Sequence, residues 1–262
     1  MSPEPQQLLH LALDVARRAG ARIEELRAEG VSVAGTKSSV VDVVTDADRA
    51  SEDLIRAHIR AARPDDAFLG EEGDDVAGSS GVRWIVDPID GTVNYLYGLP
   101  AYAVSVAAAV DGEVVAGVVL NPVTGEEYAA VRGGGATRNG TALQVRPFVS
   151  LEQSLLATGF HYEQPVRARQ AEAIARVLPR VRDIRRMGSC ALDLCGVAAG
   201  RLDAYAEEGI NEWDHAAGAL VAREAGAQVE LTTTGSGRSF ILCAPRQSMP
   251  VFRDLVRDAG MV

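Results

Sequence analysis

Two aspartates three residues apart, Asp87 and Asp90, have the spacing in this chain that most strongly indicates chemistry. They end an apolar run that begins at Trp84, and they precede Gly91-Thr92, a pair that can open a helix. Carboxylates are hard ligands that suit Mg²⁺, and a helix N-terminus binds phosphate through its free N–H groups and its dipole. The segment therefore indicates metal-assisted phosphate chemistry, although Asp-Pro and Asp-Gly are common turn dipeptides and the segment alone favours a plain turn.

Further acidic residues could converge on this segment. Glu71 and Glu72 follow a short apolar run, Asp214 stands where a helix is expected to begin, and Asp48 comes three residues after Thr45. Each has a structural explanation of its own, as a solvated loop, a helix cap and a capping-box partner respectively. A catalytic interpretation requires that the fold bring these acids together.

The spacing of apolar residues predicts the elements that must position these acids. Period-3.6 patterns predict helices at about 5–28, 46–62, 166–178, 190–199, 214–225 and 249–258. Strands are expected at about 40–44, 102–110, 113–120, 127–131, 181–185, 203–206 and 240–244, with a further strand leading into Asp87. Because strands and helices mix without strict alternation, the pattern favours a layered α/β fold over a doubly wound parallel sheet.

Composition narrows the class of protein. The chain has 262 residues, 47% of them hydrophobic, which excludes a disordered chain, and its net charge of −10 argues against a nucleic-acid-binding surface. No apolar run approaches the ~20 residues needed to cross a bilayer, and the N-terminus shows no secretory signal. The three cysteines have neither zinc spacing nor the even number of a disulfide framework. A cytoplasmic, reduced protein without membrane contact is expected.

Four motifs in a fixed order carry a resemblance to a known family. T-x-x-D at Thr45, G-E-E at Gly70, W-x-x-D-P-I-D-G-T at Trp84 and W-D-x-A-A-G at Trp213 resemble those of the inositol monophosphatase family of Mg²⁺-dependent, lithium-sensitive phosphatases. The resemblance covers about residues 8–245. It implies an αβαβα sandwich of the inositol monophosphatase and fructose-1,6-bisphosphatase type. It also implies one domain over 1–262, with lobes at about 1–145 and 146–262.

The resemblance also implies two or three Mg²⁺ ions in the active site. The first ion is expected at Glu71, Asp87 and the backbone carbonyl of Ile89. The second is expected at Asp87, Asp90 and Asp214, and a third, weaker ion at Glu71. Clustered carboxylates repel one another, so divalent cations among them make physical sense.

Other positions take roles by the same resemblance. Asp48 and Thr92 match the pair that orients and deprotonates the attacking water, and Glu72 matches an acid that supports the metal ligands. Gly91 and Thr92 are expected to offer backbone N–H groups to phosphate. The substrate-binding positions are expected at Lys37, Gly188, Ser189, Cys190 and Glu207.

The expected activity is that of a phosphoric monoester hydrolase of the inositol-1-monophosphatase type, acting on myo-inositol 1-phosphate or a similar polyol phosphate. Thr92-Val93-Asn94-Tyr95 and Glu207 favour this branch. Fructose-1,6-bisphosphatase, histidinol-phosphatase and nucleotide 3′-phosphatase activities are alternatives, and a regulatory binding protein is the non-enzymatic one. A homodimer is expected from the resemblance. The sequence leaves open the physiological substrate, the number of metals bound, lithium sensitivity and the oligomeric state.

Overall fold

The structure, a computed structural model, describes residues 4–36 and 43–262. The described residues form seven α-helices. Six of them lie close to helices expected from the sequence, and the short third one was indicated only by the Gly-Thr pair that opens it. These are α1 (Pro5–Glu29), α2 (Asp46–Ala62), α3 (Thr92–Tyr97), α4 (Gln164–Val177), α5 (Cys190–Ala198), α6 (Glu212–Glu224) and α7 (Met249–Ala259). No helix of the described residues is long and apolar enough to cross a membrane.

Helix α1 illustrates why the periodicity was informative. Pro5 stands in its first turn, where no N–H is required, and Gly30 ends it with a positive φ of 113°. Its buried side chains recur at helical spacing and lie along one face: Leu8, Leu9, Ala12, Val15, Ala16, Ala19 and Ile23. That face packs on α2 and on a sheet.

Fourteen strands are described, in three sheets. They are β1 (Val33–Thr36), β2 (Val43–Thr45), β3 (Ala67–Gly70), β4 (Val82–Asp90), β5 (Ala103–Val110), β6 (Glu113–Asn121), β7 (Glu126–Val131), β8 (Gly135–Arg138), β9 (Thr141–Ala142), β10 (Leu155–Thr158), β11 (Asp183–Arg185), β12 (Ala204–Glu208), β13 (Ala227–Thr233) and β14 (Ser239–Pro245). The strand expected at about 40–44 is described only as part of β2, because residues 37–42 lie outside the described residues.

Two large sheets carry most of these strands. The first has the order β3-β4-β5-β6-β7-β8-β9, with β3 and β4 parallel and the other pairs antiparallel. The second has the order β11-β10-β12-β14-β13, with parallel pairing around β10 and antiparallel pairing around β14. A hairpin turn at Asp111-Gly112, a dipeptide typical of such turns, joins β5 to β6, and both of its residues have positive φ.

Strands β1, β8, β9, β10 and β13 were not predicted from the sequence. β10 is only four residues long and β13 is an edge strand with one fully buried residue, so neither shows a strong apolar pattern. The partners of β10 lie in distant parts of the chain, which a local pattern cannot show.

The layers follow the order helices, sheet, helices, sheet, helices, which confirms the expected sandwich. Helices α1 and α2 cover one face of the seven-stranded sheet, and α5 and α6 lie between the two sheets. Helices α4 and α7 lie on the outer face of the five-stranded sheet. In β5, alternate residues enter different cores: Val104 and Val106 face α1, whereas Ala103 and Ala107 face the α5–α6 layer. The carboxyl end of β4 thus lies between two helical layers.

Candidate metal and phosphate site

The site is built on the end of β4, where the strand bulges. Pairing of β4 with β5 shifts register between Asp87 and Asp90, which accommodates Pro88 in the middle of a sheet although proline has no N–H to donate. The N–H of Ile89 donates to Oδ1 of Asp87 at 3.0 Å, and the hydroxyl of Ser51 in α2 donates to the carbonyl of Pro88 at 3.1 Å. These bonds fix the two aspartates in a buried, irregular turn.

Gly91 connects this turn to α3 in the left-handed region, with φ of 98°. A Cβ at Gly91 would come within 2.9 Å of the carbonyl oxygen of Ala101 and 3.1 Å of that of Gly188, so glycine is required by both conformation and space. The expected helix opening at Gly91-Thr92 is therefore present. The first N–H groups of such a helix have no partner within the helix.

Asp48 and Asp214 each stand at the third position of a helix and accept a hydrogen bond from the capping residue. Oδ2 of Asp48 accepts from the N–H and the hydroxyl of Thr45, at 2.7 and 2.6 Å, and Oδ2 of Asp214 accepts from the N–H of Asn211 at 2.6 Å. The capping interpretation is thus correct for both. It does not exclude a role in the site, since the N-termini of α2 and α6 point at the end of β4.

Asp48 also contacts the predicted water-activating threonine. The Thr92 hydroxyl lies 3.1 Å from Oδ1 of Asp48 and 3.2 Å from the carbonyl oxygen of Ile89, and both can accept from it. Asp48 is completely buried, and burial raises the pKa of its carboxyl. This pairing of a hydroxyl with a buried carboxylate is suited to moving a proton.

Four carboxylates converge at the centre of the site. Burial, followed by the charge of Glu71, raises the pKa of Asp87 and of Asp214 well above the usual aspartate range. Burial likewise raises the pKa of Asp90 to about 7, although bonds from the Ser189 hydroxyl at 2.5 Å and the Ala191 N–H at 2.7 Å favour its charged form. A cation bound among these carboxylates would relieve their mutual repulsion.

The donor set fits a hard divalent cation in its chemistry. Carboxylates and the backbone carbonyl of Ile89 are all oxygen donors of the kind that Mg²⁺ prefers. Within residues 4–36 and 43–262, however, no group of three or more histidine, cysteine, aspartate or glutamate side chains is already arranged as a metal site. Ligation of a cation at this position would therefore require rotation of these side chains.

A cleft of about 360 Å³ opens above these acids and holds most of the predicted residues. Its lining includes, of the predicted set, Glu71, Asp87, Ile89, Asp90, Gly91, Thr92, Gly188, Cys190, Glu207 and Asp214. Ser189 is not in the lining and instead donates to Asp90 while capping α5. The thiol of Cys190 is buried, which raises its pKa well above the usual range, so it lines the cleft as a neutral group.

Glu207, near the end of β12, lines the same cleft. Its carboxylate accepts from the hydroxyl of Tyr205 at 2.8 Å, burial raises its pKa, and the nearby charge of Arg186 opposes that rise. The neighbouring Glu208 is also buried and contacts Arg169 and Ser236, so the two glutamates do not form an exposed acidic pair.

Besides Ser189, three predicted residues are not among those that line the cleft. Asp48 reaches the cleft only through its contact with the Thr92 hydroxyl. Glu72 is not among the lining residues, and its N–H donates to the carboxylate of Glu52 at 2.8 Å. Lys37 lies outside the described residues.

Several residues that contact the cleft or its supports were missed by sequence reasoning. Arg186 and His161 line it, and the His161 Nδ1 accepts from the N–H of Glu163 at 3.0 Å. Glu52 holds the turn that contains Glu71. For Glu52 the one available signal was its spacing of four residues from Asp48, which places both on one face of a helix.

The chain matches one protein-family model and several known proteins. The model of the inositol monophosphatase family matches residues 4–251. The Mycobacterium tuberculosis protein named inositol-1-monophosphatase SuhB is 46% identical over 98% of this chain and 96% of its own length. The Pseudomonas aeruginosa protein named Nus factor SuhB is 43% identical over 86% of this chain and 85% of its own.

Solved structures show the same fold. The crystal structure of the extragenic suppressor protein suhB from Bartonella henselae has a TM-score of 0.88 and 35% identity, covering 97% of this chain and 98% of its own. The Mycobacterium tuberculosis SuhB structure has a TM-score of 0.85 and 42% identity, covering 99% of both chains. Family model, relatives and fold agree over nearly the whole length, and the chain belongs to the inositol monophosphatase family.

Proposed function

We propose that the protein is a Mg²⁺-dependent phosphomonoesterase that hydrolyses myo-inositol 1-phosphate or a similar polyol phosphate. The observation that carries the proposal is the convergence of Glu71, Asp87, Asp90 and Asp214 below a helix opening at Gly91. Bound there, Mg²⁺ would lower the pKa of a coordinated water and neutralise charge on the phosphate and the leaving oxygen. Two or three ions are proposed, held by these carboxylates and the Ile89 carbonyl.

The protein's own residues supply binding and proton movement. The N–H groups at Gly91 and Thr92 are proposed to hold the phosphate oxygens. A water beside Thr92 would lose its proton to the Thr92 Oγ1 as the hydroxyl proton passes to Oδ1 of Asp48, 3.1 Å away. The water oxygen then forms a bond to phosphorus, the bond to the polyol oxygen breaks, and that oxygen takes a proton from solvent. Burial raises the pKa of Asp48, which makes it a stronger base than an ordinary aspartate.

The polyol end of the cleft gives the proposed specificity. The Glu207 carboxylate can accept hydrogen bonds from substrate hydroxyls, while the backbone from Gly188 to Cys190 borders the same space. Ser189 is proposed to act through Asp90, because its hydroxyl donates to the Asp90 carboxylate and orients it. The small cleft and the net charge of −10 favour a small phosphorylated polyol over a nucleic acid as the partner.

The regulatory alternative has support in the name Nus factor, which three of the matching relatives bear. Against it, each proposed ligand position in this chain holds an oxygen donor, all of them line one cleft, and Asp87 and Asp90 are buried. A protein that served only as a binding surface would have no physical need for such mutually repelling acids.

A substrate panel tests the proposal. Metal-free protein is assayed for phosphate release with and without millimolar Mg²⁺ on myo-inositol 1-phosphate, fructose 1,6-bisphosphate, histidinol phosphate and a nucleotide 3′-phosphate. The highest kcat/KM is expected for the inositol ester, and only with Mg²⁺. If another ester has a higher kcat/KM, that ester replaces inositol phosphate as the proposed substrate. If none of the four esters releases phosphate in a Mg²⁺-dependent way, the proposed enzymatic function is overturned.

A further inference from the structure

The turn that contains Glu71 is fastened to helix α2 by a buried carboxylate, that of Glu52. Glu52 is 2% exposed, its Oε2 accepts from the N–H of Glu72 at 2.8 Å and its Oε1 accepts from the N–H of Gly73 at 2.9 Å. Two successive backbone N–H groups thus converge on one anion, which the chain itself supplies. Charge-assisted bonds of this kind are stronger than bonds between neutral groups.

The turn is shaped to receive this carboxylate. A Cβ at Gly70, the last residue of β3, would lie 2.3 to 2.7 Å from the Glu52 carboxylate atoms, and a Cβ at Gly73 would lie 2.8 Å from its Oε1. Any other residue at Gly70 would push the carboxylate away from the N–H groups that it binds. Glycine at both ends of the turn therefore fits a carboxylate in this one place.

Arg56 completes the attachment one helical turn beyond Glu52. One guanidinium nitrogen donates to Oε1 of Glu52 at 2.8 Å, and another donates to the carbonyl of Asp74 at 3.0 Å. The guanidinium also lies 4.2 Å from the ring centre of Phe68 in β3. Arg56 thus neutralises the buried charge and joins the strand before the turn to the chain after it.

The location of this attachment matters for Glu71. The charge of Glu71 raises the pKa of Asp87 and of Asp214, so the three acids repel one another across the cleft. Without a restraint, this repulsion would move the turn outward and spread the ligand set. The bonds from Glu52 act on the backbone of the next two residues, which is where such a movement would begin.

We propose that Glu52, held by Arg56, is a positioning residue that keeps Glu71 at the metal site. The proposal rests on the proposed function, because Glu71 serves there as a metal ligand. Glu52 itself is not among the residues that line the cleft, so it acts through the turn and not by contact with metal or substrate. Helix α2 then supports two parts of the site, through Asp48 at its first turn and Glu52 one turn later.

The test is Glu52→Gln, which keeps the side-chain shape but replaces one acceptor oxygen with a donor and removes the charge that binds Arg56. Mn²⁺ affinity, measured by calorimetry without substrate, is expected to fall about tenfold, as for other residues that support metal ligands. The Mg²⁺ concentration for half-maximal activity is expected to rise by a similar factor. At saturating Mg²⁺, kcat is expected to return to about the wild-type value.

Asp53→Asn is the matched control, because it removes the same charge from the adjacent, exposed position of α2. It is expected to leave Mn²⁺ affinity and kcat unchanged. Arg56→Met is expected to lower Mn²⁺ affinity in the same way, and it tests the inference if Glu52→Gln does not fold. Arg56→Lys is expected to restore part of the Mn²⁺ affinity.

Unchanged Mn²⁺ affinity in the folded variant overturns this inference alone. So does a loss of activity in folded protein that saturating Mg²⁺ does not recover, because a positioning role through Glu71 acts on metal binding. A wild-type protein that binds no Mn²⁺ overturns the proposed function together with this inference.

Discussion

Two aspartates of this molecule each have two roles, one in capping a helix and one in the site. Asp48 and Asp214 each bind a capping residue through Oδ2 and keep a second oxygen, which for Asp48 contacts Thr92. A capping bond fixes the rotamer of a side chain that would otherwise move. The structural and catalytic interpretations of these residues therefore support each other.

The first prediction concerns Asp90→Asn. The amide oxygen can still accept from Ser189 and Ala191, so the fold should persist, but the side chain loses the charge needed to hold a cation. Turnover at millimolar Mg²⁺ is expected to fall by roughly 10²-fold or more. Phosphate release measured beside circular dichroism checks both parts, and a folded variant with near wild-type turnover contradicts the two-metal assignment.

The pKa of Asp90 gives a second prediction, on the metal-free protein. Its carboxyl has a pKa of about 7 in the folded chain against 3.8 ordinarily, so between these values the native state holds a proton that the unfolded state has released. The stability that the folded chain gains from holding this proton on Asp90 is fully present below pH 3.8 and is lost as the pH rises through 7. At pH 8 in EDTA, Asp90→Asn is therefore expected to be more stable than wild type, with a Tm higher by roughly 3 °C or more.

Thermal unfolding at pH 5 and pH 8 measures this effect, and the difference between variant and wild type should shrink at pH 5. Asp183→Asn is the control, because a bond from Arg185 lowers the pKa of its exposed carboxyl and no gain at pH 8 is expected. Equal Tm values for Asp90→Asn and wild type at pH 8 would show that the carboxyl is not strained by burial.

At the scale of elements, the site depends on how the strand-to-helix junction at Gly91 is packed. Gly91→Ala adds a methyl group within 2.9 Å of a backbone carbonyl and a side chain at φ of 98°. We expect a loss of kcat of at least about tenfold, since the N–H groups proposed to bind phosphate must shift.

Gly112→Ala separates crowding from backbone strain in this test. Gly112 has a similar φ of 84° in the β5–β6 hairpin but nothing within 4 Å of its Cβ position. It is expected to lose about 1 kcal/mol of unfolding free energy and no activity. Equal activity in the two variants would contradict the role given to the junction.

The elements also show what sequence reasoning can reach. Helices α1, α2 and α6 were predicted within two residues at each end because their apolar spacing and capping residues are local signals. Strand β10 was missed because its partners β11 and β12 lie far along the chain, and β13 because it is an edge strand with one buried residue. In the site, the aspartates of β4 belong to one contiguous motif, whereas Glu52 binds backbone twenty residues away and leaves almost no trace in the sequence.

At the scale of the whole molecule, the central helices join the two large sheets. Helices α5 and α6 share one hydrophobic cluster with side chains of both sheets, including Ala107 in β5 and Ile241 in β14. The site draws its acids from both sides of this cluster, Asp87 from β4 and Asp214 from α6. We therefore still propose one domain over 1–262, with lobes at about 1–145 and 146–262.

The surface offers an explanation for the expected homodimer. Tyr97 and Leu99 are 76% and 52% exposed at the end of α3, and Met187 is 46% exposed. Asn94 connects them, since its side chain donates to the carbonyl of Met187 at 2.7 Å and its carbonyl accepts from Leu99 at 2.9 Å. Exposed apolar clusters of this kind mark interaction surfaces, and we propose that a second copy of the chain covers this one.

Tyr97→Asp tests the dimer, because a charge placed at the most exposed member of the cluster must be desolvated on association. Light scattering after size exclusion at about 10 μM is expected to give twice the chain mass for wild type and the chain mass for the variant. Val149→Asp is the control: Val149 is 71% exposed but lies outside the cluster, so its variant should remain dimeric. A dimeric Tyr97→Asp variant would place the interface elsewhere, and a monomeric wild type would contradict the homodimer.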